Sequence, residues 1–302
     1  MPNFEMPHQL ASEGATALIF ERAHAIADVA AKLTPLSHSA AQLIVMNSSP
    51  DVSMADLVNV IGHDQVLAAS VLREANSVAS GAVQPIATVE TAVVRLGTAR
   101  VLSLAVRLSL TKQMSSPVPE YGLSDGDLGL MSVVGSIAAE VVRDQSRARL
   151  EPELSTAALL RDIGVLVLAN FLDSPHRQLL DVVRAAGASL ADGERMVLDA
   201  THGEAGGLLC QTWRLPESVR LGVQYHHDPS SCDQLIAHGV FAADVIAHEV
   251  AVRTSGSWSH STFDAQTFAD SAAAIGLDPS GLEDYVDATL TRFADRNTGL
   301  IL

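Results

Sequence analysis

Five side chains in the second half of the chain are candidate metal ligands. They are Asp162 in "RDIG" (161–164), His202 in "THGEAGGLLCQTWRLP" (201–216), His226 and His227 in "VQYHHDP" (223–229), and Asp244 in "HGVFAADVIAHEV" (238–250). Imidazole and carboxylate together suit zinc, manganese or iron. Any one of these histidines alone reads more simply as a hydrogen-bonded structural residue; the set taken together is more specific. Asp162 raises a further question, because it follows Arg161 inside "TAALLRDIGVLVLANF", Thr156 to Phe171. That stretch predicts a buried helix with one charged pair set in an apolar run. An arginine cannot give up its proton in a protein, so Arg161 cannot ligate a metal.

The elements that must position these residues are helical. Aromatics are 4% of 302 residues and apolar residues 48%, a mix that favours helices and a substantial core. Apolar residues at Ile19, Ala23, Ile26, Ala30 and Leu33 recur at helical spacing and predict a helix over 17–33. Further helices are expected at about 37–47, 53–62, 65–76 and 88–108, with Ser53 and Asp64 as caps and Met54, Leu57, Val58 and Ile61 as a buried face. "MSSPVPEYGLSDGD" (114–127) has the composition of a connector. Helices then follow at about 128–144, 155–171, 175–186, 190–199, 203–213, 216–225 and 233–252, and "RTSGSWSHS" (253–261) is a second linker. No period-2 alternation persists and no internal repeat is visible, so the chain is expected to be all-α.

Bulk properties narrow the function. The formal net charge is -16, with Lys and Arg scattered, which opposes binding to nucleic acid and to anionic membrane surfaces. Two helices joined at Gly62 have the outline of a DNA-reading unit, but only Arg73 and Asn76 would face bases, and an ordinary helical corner is expected. Cys210 and Cys232 lack disulfide-framework and metal-site spacing and read as small core residues in a reducing compartment. The N-terminus lacks a signal-peptide pattern, and no apolar run is expected to reach the length of a membrane span. The expected location is the cytoplasm.

Several of these motifs, in order, resemble a known family. "ALLRDIGVLVL" is similar to the His-Asp helix of the HD superfamily of metal-dependent phosphohydrolases, and "THGEAGGLLCQTWRLPESVRLGVQYHHDP" resembles the later segment of its HDOD branch. In the front half, "LTPLSHSAAQLIVMNSSPDVSMADLVNVIGHDQVLAASVLREANS" and "PIATVETAVVRLGTARVLSLAV" are similar to the HDOD N-terminal helices. The resemblance spans roughly 33–250. It implies an N-terminal helical part over 17–113 packed on an HD-like helical bundle over 128–252, followed by a short helical tail over 262–302.

Carried over position by position, the resemblance places the metal-binding His-Asp pair on Arg161 and Asp162 and the late aspartate on Asp244. The earlier histidine falls on Val133, in "GLMSVVGSIAAEVV", which contains no histidine. His202, His226 and His227 match further histidines of the family, around the site or on a second metal in binuclear relatives. Two of four metal ligands are thus replaced, and the site reads as degenerate, with no bound metal and no cofactor. Arg161 is expected to act as a built-in cation among Asp162 and Asp244. What the resemblance implies is a non-catalytic bacterial signal-transduction protein working through protein contacts. Its partners would be other signalling proteins, among them members of cyclic-di-GMP or two-component pathways, and a homodimer is compatible with this. The alternatives are a metal-dependent phosphodiesterase and a sensor that binds a nucleotide in the degenerate pocket.

Overall fold

The computed structural model describes residues 24–33, 36–47, 53–77, 84–255 and 263–297, and among them it is helical with no strand. Helical residues 24–32 (α1) bury Ile26 and Ala30, as the spacing predicts; residues 17–23 of that helix and most of the 253–261 linker lie outside the described residues. Then come α2 (His38–Asn47), α3 (Met54–Gly62), α4 (Gln65–Ala75), α5 (Val89–Leu96) and α6 (Thr98–Met114). Ser53 and Asp56 form the reciprocal cap that starts α3, and Asp64 accepts from the Leu67 N–H to start α4. The buried face of α3 is set by Val60 and Ile61, while Met54, expected inside, is 38% exposed. Asn76 is not free to meet a base: its amide exchanges hydrogen bonds with the Ile86 backbone and holds the chain's return to α4. The single helix expected over 88–108 is two, broken at Gly97, whose φ of 79° no helix accommodates.

The second half is built on α7 (Asp127–Gln145), α8 (Leu154–Leu160) and α14 (Leu235–Ser255), which pack on one another. Around them lie α9 (Val165–Leu168), α10 (Ser174–Ala185), α11 (Leu190–Leu198), α12 (His202–Thr212) and α13 (Glu217–Gln224), and the tail supplies α15 (Ala265–Ile275) and α16 (Leu282–Asn297). The tail packs back: α15 rests on α14, and α16 on α7 and α14. Because α6 packs against α2, α4, α5 and α8, one hydrophobic cluster runs from Ile26 to Val286 across both helical parts. The 114–127 connector is also folded, with a short helical turn at Pro119–Tyr121 that buries Tyr121.

Two expectations about apolar runs are corrected. Leu154–Phe171 and Leu235–Thr254 are long and apolar enough to cross a membrane, each with mean hydropathy 1.5. They are core elements here, with 72% and 67% of their residues buried inside the fold. The first is also not one helix. It ends at Leu160, turns tightly through Arg161–Gly164 and resumes as α9. The turn sits where α12 passes closest: a side chain at Gly164 would collide with the His202 carbonyl oxygen and lie 2.6 Å from the Gly206 nitrogen.

Gly164→Ala is therefore expected to destabilise the protein by about 1–3 kcal/mol, the range for overpacking a filled core. Urea denaturation checks it, and an unchanged midpoint would show that α9 and α12 are not locked at this contact.

Candidate functional site

The turn at 161–164 throws two charged side chains into the centre of the molecule. Arg161 is 1% exposed. Its Nε donates to Asp244 Oδ1 of α14 at 2.5 Å, and its Nη2 forms an ion pair with Asp162 Oδ2 at 3.2 Å. Nη1 donates to the Ala158 carbonyl at 3.0 Å and to the Met131 carbonyl of α7 at 3.3 Å. The guanidinium can lie this close to α7 because residue 135 is glycine; a Cβ there would overlap Nη1. Burial by itself would favour loss of the Arg161 proton, but Asp162 and Asp244 more than reverse this and the group stays cationic.

Asp162 reaches the histidines with its other oxygen. Oδ1 lies 3.5 Å from His202 Nε2 and 3.8 Å from His226 Nε2. Burial would raise its pKa, but Arg161, His202 and His226 hold it well below the usual carboxylate range. His202, at the start of α12, is fixed from behind. Both its backbone N–H and its ring Nδ1 bond to Glu194 Oε2 of α11, at 2.8 and 2.7 Å, and Tyr121 donates to the other Glu194 oxygen at 2.8 Å. Against the effect of burial, Glu194 and Asp162 raise the His202 pKa to about 10, so the ring is a cation that donates from Nδ1 to Glu194 and from Nε2 to His227 Nε2, 2.8 Å away. His226 donates from Nδ1 to the Val223 carbonyl at 2.7 Å. Burial and the neighbouring His202 cation lower its pKa to about 3, so its Nε2 keeps a lone pair, and that buried atom has no partner. Burial and the two other rings also lower His227 well below the ordinary value.

The structure brings together Arg161, Asp162, His202, His226, His227 and Asp244. It does not bring Val133. The residues of α7 that meet Arg161 are Met131, Val134 and Gly135, whereas Val133 lines a separate cleft with Arg100, Glu140 and Arg296. The helix periodicity makes the reason plain: 131, 134 and 135 share one face and 133 lies on another. Two residues of the site were not foreseen. Tyr121 lies in what reads as a connector, and Glu194 is one acid among several in "ADGERMVLDATHGE", with no spacing signal to mark it as fully buried.

The donor sets divide on whether they fit a metal. Between Asp162 and Asp244, where the resemblance places one, they do not: a guanidinium engages both carboxylates and would repel a divalent cation. The three histidines do fit. Their ligand atoms lie within 4.8 Å of one another, Asp162 Oδ1 is beside them, and His202 and His226 are oriented through Nδ1 by a carboxylate and a carbonyl, as ligating histidines are. Two cations, Arg161 and His202, face three carboxylates, Asp162, Asp244 and Glu194, for a sum of -1. A divalent ion replacing the His202 proton would bring it to zero, and would polarise a bound water. The approach to His227 is a cavity of about 670 Å³ lined by Asp192, Glu204, Asp228 and Asp264 against Arg195 alone. Such a mouth disfavours an approaching phosphodiester.

Comparison with known proteins gives a coherent picture. The model of the HDOD domain family matches residues 33–229. An uncharacterized protein of Treponema pallidum is 24% identical over 206 residues, 64% of this chain but only 38% of that protein, so the chain spans well under half of that relative's length. A crystal structure named "Putative phosphohydrolase", from Shewanella amazonensis, superposes with a TM-score of 0.67 at 22% identity, covering 92% of this chain and 98% of the other. An HDOD domain protein with unknown function from Geobacter sulfurreducens gives 0.65 at 19% identity, covering 90% and 94%. At these identities the structures show a shared fold.

Two outcomes are expected from the site's charges. His202 has a folded pKa of about 10 against 6.5 for an unperturbed histidine, so its contribution is complete below about pH 6.5 and is lost as pH rises toward 10. His226, at about 3, does the reverse: the unfolded chain takes a proton that the folded one refuses, so stability falls as pH drops below about 6.5. Urea midpoints are expected to peak near neutral pH, and Glu194→Gln should flatten the alkaline limb; an alkaline limb unaltered by that change would remove His202 as its source. Arg161→Ala orphans two buried carboxylates and is expected to cost about 3–5 kcal/mol. A melting temperature equal to that of the parent would contradict the central role of the pair.

Proposed function

The chain belongs to the HDOD domain family, and from that premise we propose that it is a non-catalytic regulatory protein of cytoplasmic signal transduction that works through contacts with other proteins. The observation that carries this reading is the Arg161 guanidinium. It takes the place between Asp162 and Asp244 that a metal would need, and it is held there by hydrogen bonds from Nε and Nη1 and by the ion pair of Nη2 with Asp162. Without an ion at that point there is no two-metal clamp on an attacking and a leaving oxygen. A single ion among the three histidines would sit behind an acidic mouth, so phosphoryl substrates gain little. A neighbouring structure named "Putative signal transduction protein", from Marinobacter aquaeolei, shares the fold with a TM-score of 0.65 at 23% identity, which agrees with this reading.

The alternative of a nucleotide sensor in the same pocket finds less support. The apolar cavity of about 300 Å³ that ends on Arg161 and Asp244 is walled by Met131, Val134, His248, Leu290 and Phe293. Arg161 lines it with Nε and Nη1 already bonded to protein acceptors, so a phosphate there would compete with Asp244 for the guanidinium. The protein contacts themselves would involve other members of a signalling pathway, or a second copy of this chain.

The test is hydrolysis of bis(p-nitrophenyl) phosphate and of cyclic dinucleotides by protein incubated with Mn²⁺ or Fe²⁺. No turnover above the metal-only control is expected. Metal-dependent turnover that disappears in Asp162→Asn would overturn the non-catalytic reading.

A further inference from the structure

A second charge cluster lies outside the histidine site and plays no part in it. In a chain of net charge -16, arginines gather in a cleft between α4, α6, α7 and α16. Arg100 of α6 bonds to Glu74 of α4, Nε to Oε1 at 3.1 Å, and reaches Glu140 of α7 at 3.5 Å. Arg296 of α16 donates to both oxygens of Glu140, at 3.1 and 2.5 Å. The two carboxylates that line the cleft are thereby engaged.

Arg107 lines the same cleft, two turns along α6 from Arg100, and its guanidinium makes no hydrogen bond or ion pair to any described residue. It is half-buried. Burial pulls its pKa down, and Arg296 and Arg73 add to that against the opposing pull of Glu74. Arg296 Nε is buried and makes no hydrogen bond; Glu74 Oε1 faces it as an ion-pair partner at 3.6 Å. Three lining guanidiniums against two lining carboxylates leave one positive charge in excess, and among the described residues the Arg107 guanidinium is the one with no hydrogen-bond acceptor. An ion-pair network built only to fasten α16 has no use for Arg107. Leaving a half-buried cation beside other cations is unfavourable unless an anion completes the set.

The size of the cleft defines the anion. Its interior is about 70 Å³, where a water needs roughly 10–15 Å³ on this measure, so it accepts one oxyanion head and not a whole nucleotide. Its donors come from helices on different sides, which suits an oxyanion with three or more acceptor oxygens better than a two-oxygen carboxylate. Leu104, Val133 and Phe293 add an apolar wall for the body of a ligand. We propose that this cleft binds the phosphoryl group of a small phosphorylated molecule, with Arg107 as the principal contact, Arg296 and Arg100 beside it, and an apolar or aromatic moiety against Phe293. Arg107 and Arg296 belong to the N-terminal helices and the tail, so occupancy would tie these to α7. This assignment does not depend on the reading of Arg161.

The experiment is melting and calorimetric titration of the full chain with phenyl phosphate, inorganic phosphate and phenol. Phenyl phosphate is expected to raise the melting temperature with dose, phosphate to do so more weakly, and phenol not at all. Arg107→Gln is expected to weaken phenyl phosphate binding about tenfold or more, Arg107→Lys to weaken it less, and the unliganded Arg107→Gln protein to melt no lower than the parent. The proposal is overturned by no phosphate-dependent shift at about 10 mM, by equal binding to Arg107→Gln, or by an equal response to phenol. A clear loss of unliganded stability in Arg107→Gln would also overturn it, because that would make Arg107 a structural residue.

Discussion

A cation buried at the centre of the molecule, on Arg161, is the constraint to which the surrounding helices conform. A guanidinium removed from water needs both charge balance and acceptors for its N–H groups. Asp244 must therefore project from α14 and Asp162 from the adjoining turn, and two main-chain carbonyls must point inward. The need extends to what is absent from a side chain. Residue 135 has to be glycine because the guanidinium lies where a Cβ would be, and the turn at Gly164 has to be free of one because α12 crosses there. The packing of α7, α8 and α14 is thus organised around a charge.

The histidines answer the same constraint from the other side. Asp162 has one oxygen toward Arg161 and one toward His202 and His226, so it couples a permanent cation to a titratable one. Glu194, itself held by Tyr121, keeps His202 charged, and burial together with the neighbouring rings keeps His226 and His227 neutral. This relay runs through the folded connector, α11, α12 and the turn after α13. Removal of one member leaves another buried charge without its counterpart. Such interdependence favours a single packed arrangement of the site.

Much of this was legible in the residues and some was not. The order and approximate extent of most helices followed from apolar spacing, and the caps at Ser53 and Asp64 from local chemistry. Asp162, Asp244 and the histidines could be picked out because their types and sequence contexts are informative. The breaks at Gly97 and at 161–164 were missed because apolar periodicity continues across both. Val133 was misplaced because a carry-over along a helix without its anchoring histidine has no register, and an error of one or two positions turns the side chain to another face. Glu194 and Tyr121 were invisible because burial of an acid or a connector residue is decided by distant packing. The length of the apolar stretches Leu154–Phe171 and Leu235–Thr254 was underestimated because isolated polar residues mask a high average hydropathy.

The same helix periodicity relates the two charge clusters. One face of α7 presents Val134 and Gly135 to Arg161, and another presents Val133 and Glu140 to the arginine cleft. On the opposite side, Phe293 of α16 lines both the cleft and the apolar cavity that ends on Arg161. This helix lies beyond residues 33–229, the part matched by the family model, and Arg292 and Arg296 fasten it to Asp144 and Glu140 of α7. Phe293 is thus a shared wall of the two cavities, so a shift of α16 would change both linings together. A domain whose centre is neutralised by its own arginine still has, in α16, an element whose seating depends on charge at its edge.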